Sequence, residues 1–255
     1  MKQRLAENLK RVQGRIEQAC ARAKRDPGSV TLIAVTKYAG MEHIQALIEL
    51  GHRDLGESRV QDLTHRAALL SEWRGQRPRG DESDPAKSAP RWHLVGHLQR
   101  NKVKAVLPCV HLIHSVDSLR LAEEIDLHAE KIGNVIPVLV EVNAGGEASK
   151  HGVAVAAVTH FVEQIGTLKN LSVRGMMAMA PLTDDQGVIR HTFGRVRELF
   201  EEVVIARVGG PEFRELSLGM SNDFELGIQA GATMVRIGSA LFEGIELSPQ
   251  PAALE

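Results

Sequence analysis

The amino-acid sequence predicts a single (β/α)8 barrel of the TIM type with one extra helix before the first strand. The chain has 255 residues, and eight short runs rich in Val, Ile and Leu alternate with longer segments of helical periodicity. Strands that alternate with helices pair in parallel through right-handed crossovers, and about 250 residues is the usual length of a closed barrel. An open, doubly wound sheet is the alternative, because periodicity does not reveal closure.

The predicted elements follow one another in a regular order. The first helix is amphipathic, with apolar residues at helical spacing at Leu5, Leu9, Val12 and Ile16. The eight predicted strands lie at 30–35, 52–56, 91–96, 110–116, 135–142, 171–179, 214–219 and 233–238. Helices are predicted between the first and second strands and between the fourth and fifth, and each ends at a glycine, Gly51 or Gly133.

Two segments depart from this pattern. Residues 74–90 are rich in Pro, Gly and charge, which predicts a flexible loop between the second helix and the third strand rather than a domain linker. Residues 248–255 are predicted to form a disordered tail. Residues 1–255 are therefore interpreted as one domain.

Composition narrows the class of function. Hydrophobic residues make up 43% and charged residues 25%, as in an ordinary globular protein. The 31 basic and 32 acidic residues nearly cancel, which argues against a nucleic-acid or membrane-surface partner. Cys20 and Cys109 have neither the number nor the spacing of a disulfide framework or a zinc site. Without an apolar run long enough for a signal peptide or a membrane span, a cytoplasmic location is expected.

Lys37 is the strongest candidate for chemistry. It directly follows the first predicted strand, and reactive groups in this fold collect at the carboxyl ends of the strands. Partial desolvation there favours the neutral amine, which can attack a carbonyl carbon. A solvated loop lysine is the structural alternative, and position alone favours it.

The end of the last predicted strand is a candidate anion site. Gly238 and Ser239 begin a predicted helix-like segment at 239–244, whose backbone N–H groups can bind a phosphate, although such pairs are often only turns or caps. Ser217 and Gly219 come from the preceding strand, where phosphate sites recur in this fold. Arg236 lies within the last strand, so it must point outward or meet an anion or a polar acceptor.

Two further pairs are weaker candidates. His93 and His97 are four residues apart, but on a strand and a turn rather than on a helix, so no metal site is predicted for them. Glu57 and Arg59 are candidates for a supporting ion pair beneath the mouth of the barrel.

In several stretches the chain resembles the pyridoxal 5′-phosphate (PLP) homeostasis proteins, whose barrel is of the alanine-racemase type. The matching stretches are AVTKY at 34–38, GESRVQ at 56–61, WHLVGHLQRNK at 92–102, IHSVDSLRLAEE at 113–124, VNAGGEASKHG at 142–152, RGMMAMAP at 174–181 and LSLGMSNDFELGIQAGATMVRIGSALF at 216–242. Together they span nearly the whole chain, and the last stretch is long and specific.

The resemblance implies PLP as the cofactor, and neither a metal ligand nor a catalytic residue is predicted. The positions that it assigns to cofactor binding are Lys37, Ser58, His93, Ser217, Met220, Ser221, Arg236, Gly238 and Ser239. Lys37 would form the internal Schiff base, and Arg236 would face the pyridine nitrogen and keep it unprotonated, because a fixed cation disfavours a second one.

The other assigned positions surround these two. The phosphate would be held by Ser217, Gly238 and Ser239, with Met220 and Ser221 beside it. His93 belongs to a stretch that is expected to line the mouth. Lys150 matches a lysine that would assist in cofactor handling, and a surface lysine is its alternative interpretation. Ser58 stands where the family usually has asparagine, which puts its contact near the cofactor ring in doubt.

The implied function is intracellular PLP homeostasis, as a carrier or reservoir without efficient racemase activity. Racemisation needs two opposed bases, but the chain's one tyrosine, Tyr38, is the neighbour of Lys37. The residues after the eighth strand are also too few for the additional β domain of alanine racemases. Expected partners are PLP and apo PLP-dependent enzymes, and a monomer is favoured over a dimer. The alternatives are a slow PLP-dependent racemase or decarboxylase, or a phosphosugar-binding barrel that uses Lys37 for aldol-type chemistry.

Overall fold

The computed structural model describes residues 1–76, 89–145 and 151–247. Most of the predicted loop, Lys150 and the predicted tail therefore lie outside the described residues. The beginning of the predicted loop is corrected, because residues 74 and 75 belong to a helix.

All eight predicted strands are present, and a short ninth accompanies them. The strands are β1 (Thr31–Val35), β2 (Asp54–Glu57), β3 (Arg91–Leu94), β4 (Val110–Val116), β5 (Ile136–Asn143), β6 (Val153–Ala154), β7 (Leu171–Ala178), β8 (Glu215–Ser217) and β9 (Met234–Ile237). The helices are α1 (Lys2–Arg22), α2 (Met41–Glu49), α3 (Val60–Gly75), α4 (Val103–Val106), α5 (Leu119–Ile132), α6 (Val158–Ile165), α7 (Gln186–Ala206) and α8 (Phe224–Gln229). Single 3-10 turns lie at Pro27–Ser29, Arg100–Lys102 and Val155–Ala157.

The sheet closes into a barrel, which confirms the predicted fold class over the open sheet. Its order is β4-β3-β2-β1-β9-β8-β7-β5-β6, and an additional β4–β5 pairing joins the ends of an eight-stranded ring. Each of these pairings is parallel. The two-residue β6 pairs only with β5 and stands outside the ring. Because all strands run the same way, their carboxyl ends meet at one face of the barrel.

Two apolar clusters occupy the two sides of the sheet. Side chains alternate along a strand, so Leu32 and Ala34 join the outer cluster packed under the helices, whereas Ile33 belongs to an inner one. The inner cluster is small and comprises Ile33, Leu112, Leu139, Met177 and Met234. Polar side chains, among them the buried His93, His114 and Arg236, occupy other parts of the barrel interior.

Helix α1 packs beside α8 and supports the segment that follows β9. Its predicted apolar stripe is buried, and the Arg15 guanidinium lies 4.5 Å from the centre of the Phe224 ring and binds Glu225. Buried Asn8 donates to the carbonyl oxygens of Leu241 and Glu243, both at 2.9 Å. Within the described ranges, every helix is too short or too polar to cross a bilayer.

Candidate functional site

A large cleft opens at the carboxyl ends of the strands. Its volume is about 1420 Å³, and seven of the nine residues predicted for cofactor binding line it. These are Lys37, Ser58, Met220, Ser221, Arg236, Gly238 and Ser239. They come from segments that are far apart in sequence but adjacent around the ring, because β1 pairs with both β2 and β9.

Lys37 lies in the turn that follows β1. Its side chain is half-buried, and its Nζ lies 4.8 Å from the centre of the Tyr38 ring, which is 55% exposed. This separation is within the range of a cation–π contact. The one tyrosine of the chain is thus beside the lysine amine rather than across the cleft from it.

Arg66 of α3 holds this turn from behind. Its guanidinium donates to the carbonyl oxygen of Thr36 at 2.6 Å and to that of Ala39 at 2.9 Å, on either side of Lys37. It also pairs with Glu57, whose buried carboxylate accepts a hydrogen bond from Thr36 as well. Burial raises the pKa of Glu57, and the charge of Arg66 opposes this effect. The prediction that Arg59 pairs with Glu57 was wrong. Arg59 is exposed, and the partner of Glu57 is Arg66 in helix α3.

Substituting Arg66 by methionine should destabilise the protein and loosen the Lys37 turn. Two carbonyl oxygens lose their donor and the Glu57 carboxylate is left buried without a cation, so we expect the free energy of unfolding to fall by about 3 kcal/mol. Urea denaturation measures this loss. The double variant Arg66→Met, Glu57→Gln should recover part of it; a double variant less stable than Arg66→Met alone would contradict the assigned ion pair.

The turn after β9 presents backbone N–H groups to the cleft. The amides of Gly238 and Ala240 both donate to Ser221 Oγ, at 3.2 and 3.4 Å. The predicted helix-like segment here is instead a hydrogen-bonded turn, closed by the Leu241 amide on the Gly238 carbonyl oxygen. Two amides aimed at one oxygen atom form a concavity of the kind that can bind an anion.

The loop that carries Ser221 is fixed by a buried carboxylate. Asp223 accepts a hydrogen bond from the Met220 amide at 2.5 Å, and burial raises the pKa of its carboxyl group.

Gly96, on the opposite wall of the cleft, permits a close approach of two backbones. A Cβ atom at this position would lie 2.2 Å from the carbonyl oxygen of Ser58, so only glycine fits there.

Arg236 is buried at the base of the cleft and meets polar acceptors, as its place in a strand required. It donates to the carbonyl oxygens of Ser217 and Ala178, at 2.9 and 3.0 Å, and to Ser217 Oγ at 2.6 Å. Burial lowers the pKa of Arg236 to about 10, while the carboxylates of Asp223 and Glu141 favour its charge. A guanidinium with this pKa stays protonated at neutral pH.

Ser217 and His93 belong to a hydrogen-bonded chain inside the barrel rather than to the cleft wall. Ser217 Oγ lies 3.1 Å from His114 Nδ1, His114 Nε2 lies 3.0 Å from His93 Nδ1, and His93 Nε2 lies 3.1 Å from Asp54 Oδ1. Arg91 pairs with Asp54 at the far end. The expected position of His93 at the mouth is therefore corrected, because its side chain points into the interior and is 1% exposed.

The donors and acceptors of this hydrogen-bonded chain follow one direction when both imidazoles are neutral. Arg236 donates to Ser217, whose hydroxyl donates to His114 Nδ1; His114 Nε2 then donates to His93, and His93 Nε2 to Asp54. Burial, and then the nearby His93 and Arg236, hold the pKa of His114 well below its ordinary value. Burial alone would raise the pKa of Asp54, but hydrogen bonds from His93 and Arg91 outweigh it and hold that pKa well below its usual range.

The depressed pKa of His114 predicts a loss of stability in mild acid. Below about pH 6.5 this histidine becomes protonated in the unfolded chain but stays neutral in the folded protein. The free energy of unfolding therefore decreases as the pH is lowered, by up to about 1.4 kcal/mol per pH unit for one such group. His114→Gln keeps a donor and an acceptor but removes this proton, and should flatten the slope measured by urea denaturation between pH 6.5 and 5. His160→Gln, at an exposed position, is the control; equal slopes in wild type and His114→Gln would contradict the assignment.

The fold and the cleft together define a class of protein: a parallel barrel with a lysine after its first strand and a turn with two convergent backbone amides after its last. The family model described as alanine racemase, N-terminal domain, matches residues 2–245. The pyridoxal phosphate homeostasis protein of Aquifex aeolicus (strain VF5) is 37% identical over 236 residues, which are 92% of this chain and 96% of that protein. The chain belongs to this family of pyridoxal phosphate homeostasis proteins.

Two solved structures share the fold of this chain at more than 30% sequence identity. A crystal structure of an unknown protein from Bifidobacterium adolescentis superposes with a TM-score of 0.86 at 37% identity. The superposition covers 94% of this chain and 95% of that protein's chain. The structure of PipY of Synechococcus elongatus PCC7942 with PLP bound has a TM-score of 0.75 at 31% identity, with 93% and 99% covered.

Proposed function

We propose that this protein binds PLP in the cleft, with its aldehyde on Lys37, its phosphate at the turn after β9 and its pyridine nitrogen toward Arg236. One observation carries the proposal: an amine, an anion-binding turn and a buried guanidinium line one cleft. The register supports their closeness, because Ile33 pairs with Arg236 and Ala34 with Ile237 on adjacent strands. Lys37 and Gly238 therefore leave the ring side by side.

The donors of the turn suit a phosphate group. The amides of Gly238 and Ala240 lie within reach of a common oxygen atom, and the exposed hydroxyl of Ser239 stands between them in sequence. The hydroxyl of Ser221 can turn from accepting to donating when an anionic oxygen takes its place. In this proposal Ser217 positions Arg236 instead of contacting the phosphate, since its hydroxyl is engaged inside the barrel.

Lys37 supplies the covalent anchor. Its amine condenses with an aldehyde to form an imine and one molecule of water, so PLP is held as a Schiff base on Lys37. The Arg66 contacts fix the backbone on both sides of this lysine. The backbone position from which the reactive amine extends into the cleft is therefore fixed.

Arg236 favours holding the cofactor over using it. When bound, PLP supplies an electron sink whose strength depends on protonation of its pyridine nitrogen. A permanently charged guanidinium beside that nitrogen disfavours the added proton and so weakens the sink. The position of Tyr38 beside Lys37 also leaves this residue poorly placed as a second, opposed base.

These features support the role of a PLP carrier or reservoir without efficient racemase activity. Such a protein limits the free aldehyde and can deliver the cofactor to apo PLP-dependent enzymes. The curated relatives carry the name pyridoxal phosphate homeostasis protein, and the PipY structure contains PLP, which agrees with this proposal.

Titration of the purified protein with PLP and with pyridoxal, which lacks the phosphate, tests the proposal. We expect one equivalent of PLP to give a yellow imine absorbance and pyridoxal to bind at least about tenfold more weakly, since the turn then has no anion to hold. Equal binding of PLP and pyridoxal, or no imine absorbance, would contradict the proposal.

A chiral assay with L- and D-amino acids tests the alternative function, a slow racemase. Sustained turnover well above the rate with free PLP would favour that function instead.

A further inference from the structure

Three potential metal ligands converge at the rim of the barrel, outside the groups assigned above. His97 follows β3, Asp117 follows β4, and His151 precedes β6. The Nδ1 atoms of His97 and His151 each lie 3.6 Å from Asp117 Oδ2. The ligand atoms of all three residues lie within 4.8 Å of one another.

We propose that His97, Asp117 and His151 bind a divalent transition-metal ion, and that Zn²⁺ fits this site well. Two imidazoles and one carboxylate are a ligand set typical of Zn²⁺ and of related ions such as Co²⁺. In a tetrahedral zinc site with bonds of roughly 2.1 Å, ligand atoms lie roughly 3.4 Å apart. The 3.6 Å separations are therefore close to what one shared ion requires.

The three side chains are not locked together by hydrogen bonds. A separation of 3.6 Å is too long for an N–H···O bond, so Asp117 faces two imidazole nitrogens without a strong bond to either. The rings of His97 and His151 stack with their centres 3.9 Å apart and an angle of 14° between their planes. They must splay apart to point both lone pairs at one ion, which their exposed side chains, 39% and 59% accessible, can do.

The charge of the triad favours a cation. Asp117 contributes a carboxylate, and its Oδ2 atom faces an imidazole nitrogen of each histidine. A carboxylate between two nitrogen ligands attracts a divalent ion to the point where the three side chains converge.

The site would be open and adjacent to the PLP cleft. Three protein ligands leave at least one position of a four-coordinate ion for water or another ligand. Gly96, the residue before His97, lines the cleft. The ion would join the segments that follow β3 and β4 to the one that enters β6, and so restrain the rim of the cleft.

Calorimetric titration of the tag-free protein, as purified, with ZnCl₂ tests the site. We expect one ion per chain, and a Kd at least about tenfold weaker in His97→Ala and in Asp117→Asn, because each loses one ligand. Zinc should also raise the unfolding temperature of the wild type and not that of Asp117→Asn, since binding stabilises only the folded site.

His160→Ala is the matched control, because His160 is an exposed histidine with a carboxylate neighbour, Glu163, at 3.6 Å. Its zinc affinity should equal that of the wild type. His151→Ala removes a third ligand at the most exposed of the three positions, so a folding defect there is not expected. Equal zinc affinity in the wild type, His97→Ala, His151→Ala and Asp117→Asn, or no 1:1 binding by the wild type, would overturn the proposal.

Discussion

Substitution of Lys37 by alanine is expected to abolish the yellow imine absorbance and to weaken PLP binding at least about 100-fold. The turn after β9 and Arg236 remain in place in this variant, so residual, non-covalent binding should persist. Because Lys37 is only half-buried, the free energy of unfolding should change little. Equilibrium dialysis with PLP measures the affinity, and the visible spectrum measures the imine.

Two control variants separate the covalent bond from the charge. Lys37→Arg retains a cation but cannot form the imine at neutral pH, so it should behave like Lys37→Ala in its spectrum. Lys104→Ala removes an exposed lysine from α4 and should leave both the spectrum and the affinity unchanged. A yellow Lys37→Ala protein with wild-type affinity would contradict the role of this residue.

Arg236→Met should be the most destabilising of the cleft substitutions. Methionine fills part of the volume, but the carbonyl oxygens of Ser217 and Ala178 and the hydroxyl of Ser217 lose their donor. We expect the free energy of unfolding at pH 7 to fall by about 3 kcal/mol. Urea denaturation measures this change, and PLP titration of the same variant should show weaker binding.

The loss in Arg236→Met should depend on pH in a defined direction. Burial raises the pKa of Asp223 and of Glu141, and the charge of Arg236 opposes both shifts. Without Arg236 these pKa values rise further above their unfolded values, so the penalty grows as pH rises above about 4. Arg236→Lys keeps the charge with a smaller set of donors and should lie between wild type and Arg236→Met; a loss that shrinks between pH 5 and pH 7 would contradict this account.

Local patterns were enough to predict the barrel. The predicted strand 110–116 matches β4 to the residue, and the predicted 91–96 exceeds β3 only at its end. Period and composition predict such elements because a buried parallel strand is apolar on both faces. The two-residue β6 was missed, because so short a strand leaves no periodic signal.

The cleft residues were predicted less evenly. Residues in turns after strands, such as Lys37 and Gly238, could be assigned because chain order alone places them at one face of the barrel. Residues on the strands themselves were harder, since which side of the sheet they face depends on register. His93 and Ser217 face the interior for this reason and form the polar chain with His114 and Asp54.

Long-range partners could not be found from the sequence. Arg66 lies 27 residues after Ala39 and 9 after Glu57, and nothing in its local pattern distinguishes it from other helix-surface arginines. The triad of His97, Asp117 and His151 has no recognisable spacing either, because three separate connections contribute one residue each. Such contacts depend on how the helices and loops pack around the ring.

Peptide mapping by mass spectrometry after borohydride reduction of the PLP-loaded wild-type protein tests the central claim most directly. Reduction converts the imine into a stable secondary amine, so the mass of the reduced cofactor should be found on the peptide that contains Lys37, at close to one equivalent per chain. Unmodified Lys37 in a protein saturated with PLP, or a label spread over several exposed lysines, would contradict the account.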